Sequence, residues 1–360
     1  MLAPYLRPVM PVDGDTVSDL MRPLAARENL ILRSKLVRKL RRCLEDWYDF
    51  LEVSLPTHDL PPEANATFES TSDPEQKLLA PEESLLQLVS TGFETIYQLA
   101  SVAHQNISSE HLYAYMTPAD KNDMMGLTER LFRELGLELR GGTVLPWVSK
   151  DQLQLNAAGE GEDERKHPDT STGTVMIDLG ALWQQRPFYD LVAEITHVDF
   201  LHLTSPDEAV RIASALNVQG IMRGPDLRVG DVALAVFDQL VAPTLVQPTF
   251  VVDFPVETCR RAKRYSHNNR LIACAKLFIN GLEFAQVETV ATDLHESTER
   301  CSPQAPSAGS ENHGEPSPVP TLRYGLPKVG SLVLNIDRLV MLFTGALDIR
   351  SVQFFRNTLS

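Results

Sequence analysis

Cysteine is scarce in this chain, and its four residues, Cys43, Cys259, Cys274 and Cys301, stand in no CxxC or other ligand-like spacing. That excludes a disulfide framework and a zinc centre as organising devices, and makes a reducing compartment the expected setting. Long apolar runs are missing too: none approaches the ~20 residues a membrane-spanning helix needs, so no membrane partner is expected. Positive charge is short, with 33 Lys and Arg against 48 Asp and Glu and a formal net charge of −15. Affinity for phosphates is largely electrostatic, so this balance works against a broad nucleic-acid footprint. The N-terminal stretch carries Asp13, Asp15 and Asp19 and lacks an apolar signal core. Neither a transit nor a secretory peptide is expected, and the cytoplasm is the expected location.

What is present suffices for one large or two modest cores: 360 residues, 43% of them hydrophobic. Residues 1–26 read as an irregular leader. Over 30–48, Leu32, Leu36, Val37, Leu40, Leu44 and Trp47 recur at helical spacing, interleaved with Arg33, Lys35, Arg38, Lys39, Arg41 and Arg42. The plainer reading is an amphipathic helix with its charged side to water; the other is a salt-dependent RNA contact. An extended stretch, 50–56, follows.

Thr117 to Asp120 form a cap-like start, after which Met124, Leu127, Leu131 and Leu135 mark one helical face until Gly136. Ser205 and Glu208 have capping-box spacing ahead of Ala209, Ile212, Ala213 and Leu216. Residues 249–254, 277–279 and 284–290 are strand candidates. Near the C-terminus, alternating apolar residues run into a helix, with Arg338 at the junction and Gly345 closing it. Strands with helices between them favour an α+β fold on an antiparallel sheet. Segments 158–173 and 295–320, charged or rich in Ser, Pro and Gly, read as disordered insertions within a single domain spanning 27–360.

The stretch 330–345 (GSLVLNIDRLVMLFTG), just after LRYGLP at 322–327, resembles motif 3 of class II aminoacyl-tRNA synthetases in its lysyl form. Residues 30–56 resemble motif 1. LAPEESLLQLV at 79–89, GFETIYQL at 92–99, QPTFVVDFPVE at 247–257 and LFINGLE at 277–283 are similar to further lysyl-type blocks, in the right order. The resemblance implies the class II fold, an antiparallel sheet flanked by helices. It also implies a homodimer built through 30–56, and a role in translation. Few residues precede motif 1, so a catalytic-domain-only relative without the anticodon-binding barrel is expected. Its length plan is similar to that of the stand-alone paralogue that modifies a protein lysine.

Amino-acid activation joins a carboxylate to the α-phosphate of ATP. The site must hold two anions together, neutralise charge with arginines and Mg²⁺, and grip the adenine. By resemblance, Arg338 stacks on adenine and meets the γ-phosphate, Glu283 is a Mg²⁺ ligand, and Glu82 and Glu110 bind the amino acid. Other positions depart from the family pattern. His104 replaces the motif 2 arginine and Asn106 a glutamate. Lys276 replaces the second metal carboxylate and is positioned to neutralise Glu283. Val290 replaces the glutamate that selects the lysine ammonium, with Gln286 and Glu288 in place of its asparagine and aromatic neighbours. Ser331, Val333 and Asn335 replace glycines, and the adenine-stacking loop is shortened to 107–110.

Two functions are therefore expected in competition, ahead of a third, an RNA-binding module using the Arg33 to Arg42 helix, which the acidic charge disfavours. One is a lysyl-tRNA synthetase-like pseudoenzyme with a degenerate ATP and lysine site, which needs no cofactor and acts as a dimeric binding or regulatory paralogue, with a protein as a possible partner and only weak tRNA binding. The alternative is an active ligase using ATP and Mg²⁺ to transfer lysine to tRNA or to a protein lysine.

Overall fold

The computed structural model describes residues 24–54, 81–104, 107–148, 174–221, 224, 227–259, 261–292 and 327–353. The insertions expected at 158–173 and 295–320, and the leader as far as residue 23, lie outside them. In chain order the elements begin with α1 (Leu24–Tyr48), β1 (Leu51–Glu52), α2 (Pro81–Ser90), β2 (Thr95–His104), β3 (Ile107–Met116), α3 (Lys121–Arg140), β4 (Val144–Val148), β5 (Thr174–Asp178) and β6 (Gln184–Pro187). There follow α4 (Phe188–Thr196), α5 (Pro206–Ala215), α6 (Val229–Val236), β7 (Thr249–Val252), β8 (Arg264–Tyr265), β9 (Asn268–Ile272), β10 (Cys274–Ile279), β11 (Leu282–Thr289), β12 (Gly330–Asn335) and α7 (Ile336–Thr344).

An eight-stranded sheet in the order β1-β2-β3-β12-β11-β10-β7-β6 organises the chain. Strands β2 to β7 in that order pair antiparallel, and only the outermost pairs, β1 with β2 and β6 with β7, are parallel. This is an α+β fold, antiparallel through its middle and flanked by helices. No described helix is long and apolar enough to cross a membrane.

Strand side chains alternate between faces, so the two sides of this sheet are different surfaces. On one, Ala275, Leu277, Ala285, Val287, Leu332, Leu334, Leu112 and Ala114 form a core with Leu36, Leu40 and Leu44 of α1, the apolar side of α3 and most of α7. Each fully buried leucine there contributes about 1.5–3 kcal/mol. On the other side two smaller clusters flank the sheet. One forms around α2 with Tyr113, Tyr115 and Val290. The other forms around α4 to α6 with Cys274 and Phe278. The cleft between them is what the fold positions for function.

Two local expectations change. Helix α1 starts at Leu24 rather than near residue 30, because Ala25, Ala26, Arg27 and Glu28 are good helix formers with no breaker among them. Helix α3 starts as expected, with Asp120 accepting from the N–H groups of Asn122 and Asp123 in a full capping box, but it runs through Gly136 to a left-handed cap at Gly141. Gly136 is demanded instead by packing, since a Cβ there would lie 3.0 Å from the carbonyl oxygen of Gly142.

Candidate functional site

The strand registers decide which side chains meet on the cleft face. Lys276, Gln286, Val333 and Tyr113 stand in one row across four strands, and Cys274, Glu288, Ser331 and Tyr115 in the next. Asn335 pairs with His111 at the end of the same face. A bulge at Leu277 and Phe278 puts Glu283 opposite Phe278. Its consequence is visible in packing: the consecutive residues Phe284 and Ala285 both enter the large core, so Glu283 turns to the cleft. Bulges of this kind re-aim side chains next to functional sites.

Glu283 then meets Lys276, whose Nζ lies 3.1 Å from Oε2. Burial of the ammonium is the largest single influence and lowers its pKa, but the charge and hydrogen bond of Glu283 together with Cys274 and Asp238 outweigh it, and the net shift is upward, so Lys276 is protonated. The ammonium also lies over the ring of Phe254, 5.6 Å from its centroid. Arg338, in the first turn of α7, donates from Nη1 to the backbone oxygen of Glu283. Its own N–H is capped by Asn335 at 2.9 Å, and Asn335 Nδ2 lies 3.3 Å from His111 Nε2. Desolvation holds the His111 pKa below its usual value, which favours the neutral ring.

Beyond Gln286 the cleft face ends in a second charged group. Arg261 Nη2 donates to Glu82 Oε1 at 2.9 Å, and Nη1 lies 2.9 Å from Oε2, a bidentate pair. Arg261 also approaches Glu288 at 3.6 Å. Glu288, 1% exposed, accepts at Oε2 from Cys259 Sγ at 2.7 Å and from Gln286 Nε2 at 3.4 Å. Its Oε1 has no hydrogen-bond partner among the described residues. Burial, reinforced by the Glu288 charge, pushes the Cys259 thiol up to about 12, so it is no nucleophile near neutral pH.

Glu82, Glu283 and Arg338 therefore come together around one cavity of about 150 Å³, whose floor carries Gln286, Val333 and Asn335. The other expected residues are elsewhere. Glu110 is paired with Arg33 at 2.5 Å, away from the cavity lining. Val290 is 2% exposed within the apolar cluster around α2. His104 pairs in register with Ile107, so only residues 105 and 106 join β2 to β3. The His104 side chain and Asn106 lie outside what the structure describes.

The donor set does not fit Mg²⁺, which requires an octahedron of oxygen ligands. Glu283 already faces an ammonium 3.1 Å away. Among the described residues the cavity measures about 150 Å³, below the ≈ 300–1,000 Å³ usual for cofactor pockets. Period-2 alternation puts Val333 and Asn335 of β12 on the same face, so both side chains rise from the cavity floor and take up room there.

Two charged networks were not anticipated. One is Arg261, Glu288 and Cys259; the other is Arg33 with Asp337, buried on the opposite side of the sheet. Arg33 carried a legible signal, since it lies three and seven residues before Leu36 and Leu40 and so falls on the apolar side of α1. Nothing in the local pattern around Arg261 marked it.

Compared with known proteins, residues 15–359 match the family of tRNA synthetases class II (D, K and N). The chain is similar to the lysine–tRNA ligase of Carboxydothermus hydrogenoformans, 32% identical in an alignment that covers 94% of this chain and 67% of that one. It is also similar to those of Pelotomaculum thermopropionicum, 31% identical across 94% of this chain and 65% of that one, and Bacillus subtilis, 30% identical across 92% and 64%. It thus spans about two thirds of the length of these relatives.

Proposed function

Because the chain belongs to the class II tRNA synthetase family (D, K and N), and is similar to its lysine–tRNA ligases, we propose that it is a non-catalytic lysyl-type member, a dimeric binding or regulatory paralogue whose ATP and lysine site is degenerate. The observation that carries this reading is the Lys276–Glu283 ion pair at 3.1 Å. An activating site needs a divalent cation to neutralise the charge developing on the phosphates. A protonated lysine held against the remaining carboxylate repels such a cation and supplies a single fixed charge instead. The side chains rising from β12 act in the same direction by taking up room.

The test is exchange of labelled pyrophosphate into ATP by the purified protein, with and without L-lysine and Mg²⁺. Exchange no greater than the protein-free blank is the expected result. Lysine-dependent exchange above it would overturn the proposal in favour of an active ligase, the reading that Glu82, Glu283 and Arg338 around one cavity would then support.

The dimer is expected to form at the β1 edge and the outer side of α1. Leu51, on the edge strand, is 51% exposed and Phe93 is 41% exposed. Three cations of α1 are engaged within the chain: Lys39 pairs with Glu138, Arg41 with Glu52 and Arg42 with Asp46. That favours protein contact over RNA as the use of this surface. Light scattering should give the mass of a dimer, and Leu51→Asp should shift it toward monomer; a monomeric parent protein would remove this part of the proposal.

A further inference from the structure

The bidentate contact between Arg261 and Glu82 is unusual in its placement. Glu82 belongs to the cavity wall, yet its carboxylate is occupied by an arginine 179 residues away in sequence. The backbone explains how Arg261 gets there. Ala291 N–H donates to the Arg261 carbonyl at 2.7 Å, and Lys263 N–H to that of Thr289 at 2.8 Å. Ala262 bridges Val290. This short zipper fastens the segment to the end of β11, beside Glu288 on the same strand and within reach of Glu82 in α2.

The charge balance is equally informative. Two carboxylates, Glu82 and Glu288, face one guanidinium, and the Oε1 of the nearly fully buried Glu288 is left without a hydrogen bond. Such an arrangement is a cation site in its own right, because a buried carboxylate without a counter-charge is costly and any suitably shaped cation offsets that cost. A guanidinium suits it through its planar fork.

We propose that Arg261 is an internal ligand: its guanidinium fills a cation subsite formed by Glu82 and Glu288 at the end of the cavity, and so closes the cavity to amino acids and amines that carry a side-chain cation. This deepens the proposed function and rests on that reading of the cavity. Where Val290 removes one source of lysine selectivity, Arg261 removes the vacancy itself. Arg261 acts as a specificity determinant, and also ties α2 to the sheet.

Arg261→Gly separates the two roles. Its melting temperature is expected to fall, and millimolar methylguanidinium is expected to restore at least about half of the loss, while tetramethylammonium at equal ionic strength restores none. By calorimetry, L-lysine should bind the variant at least about tenfold tighter than the parent, a change of about 1.4 kcal/mol, whereas L-norleucine, lacking the terminal charge, should gain nothing. Methylguanidinium no better than tetramethylammonium, or a parent protein that binds L-lysine as tightly as the variant, would overturn the proposal. If Arg261→Gly does not fold by itself, refolding is carried out with methylguanidinium present. Recovery of folded protein by that ion alone supports the internal ligand, and failure of both Arg261→Gly and Arg261→Ser to recover sinks it. No nucleotide enters these titrations, so their failure would leave the pyrophosphate-exchange result and the function read from it untouched.

Discussion

Arg33→Ala is expected to lower the free energy of unfolding by about 3–5 kcal/mol, the range for removing one partner of a buried ion pair. Arg33 is 5% exposed and Asp337 not exposed at all. From α1 the guanidinium reaches Asp337 Oδ1 and Glu110 Oε2, each at 2.5 Å, and the carbonyl of Val352 at 2.9 Å. Asp337 in turn accepts from Gln353 Nε2 at 2.7 Å and from the N–H of Glu110 at 3.3 Å. One arginine thus ties together α1, β3, α7 and the C-terminal segment. Its loss leaves the Asp337 charge buried with, among the described residues, the neutral donors Gln353 Nε2 and the N–H of Glu110. Urea denaturation of the single variant and of Arg33→Met with Asp337→Leu checks the argument: the double variant should recover much of the loss, because an apolar pair of similar volume leaves no charge unmatched. A single-variant effect below about 1 kcal/mol would instead mean that water screens the pair as it does at a surface.

Lys276→Glu should produce the second largest change and a new dependence on metal. Unit charges ~4 Å apart interact by ≈ 4 kcal/mol at an effective dielectric of 20. Glu283 has a side-chain exposure of 35%, so that figure is discounted by about half for solvent screening. Losing the attraction and gaining an equal repulsion then sums to about 4 kcal/mol of destabilisation without divalent ions. Two carboxylates on the cleft face are, however, what a hard cation needs. Millimolar Mg²⁺ should therefore raise the melting temperature of the variant by several degrees and leave the parent protein unmoved. A variant that is destabilised yet indifferent to Mg²⁺ would dismiss the idea that Lys276 stands in for the ion.

Much of the fold was legible because its determinants are local. The apolar stripe of α1, the cap at Asp120, the start of α5 at Ser205 and the closing Gly345 each depend on residues within a turn or two of one another. The resemblance to lysyl-type motifs added what periodicity cannot supply, the class II fold with its antiparallel sheet flanked by helices. Part of the site was legible by the same route: Glu82, Glu283 and Arg338 do meet around one cavity. The chemistry of Lys276 was legible as well, since a cation four residues before Asn280 of the Asn280–Gly281 turn must find a carboxylate or remain costly when buried.

The amino-acid sequence by itself determined several of the elements and their amphipathic sides, which follow from spacings of two to four residues, and the family to which the chain belongs, which follows from ordered motifs. Only the tertiary structure decided where the charges are balanced. The bulge at Leu277 and Phe278 turned Glu283 from the core to the cleft, a change of face that no alternating pattern announces. Arg33 found Asp337 across 304 residues, and Arg261 found Glu82 across 179. The physical reason is that burial raises the cost of an unmatched charge far above any local preference, so each buried ion takes the partner that packing brings within reach, whatever its distance along the chain.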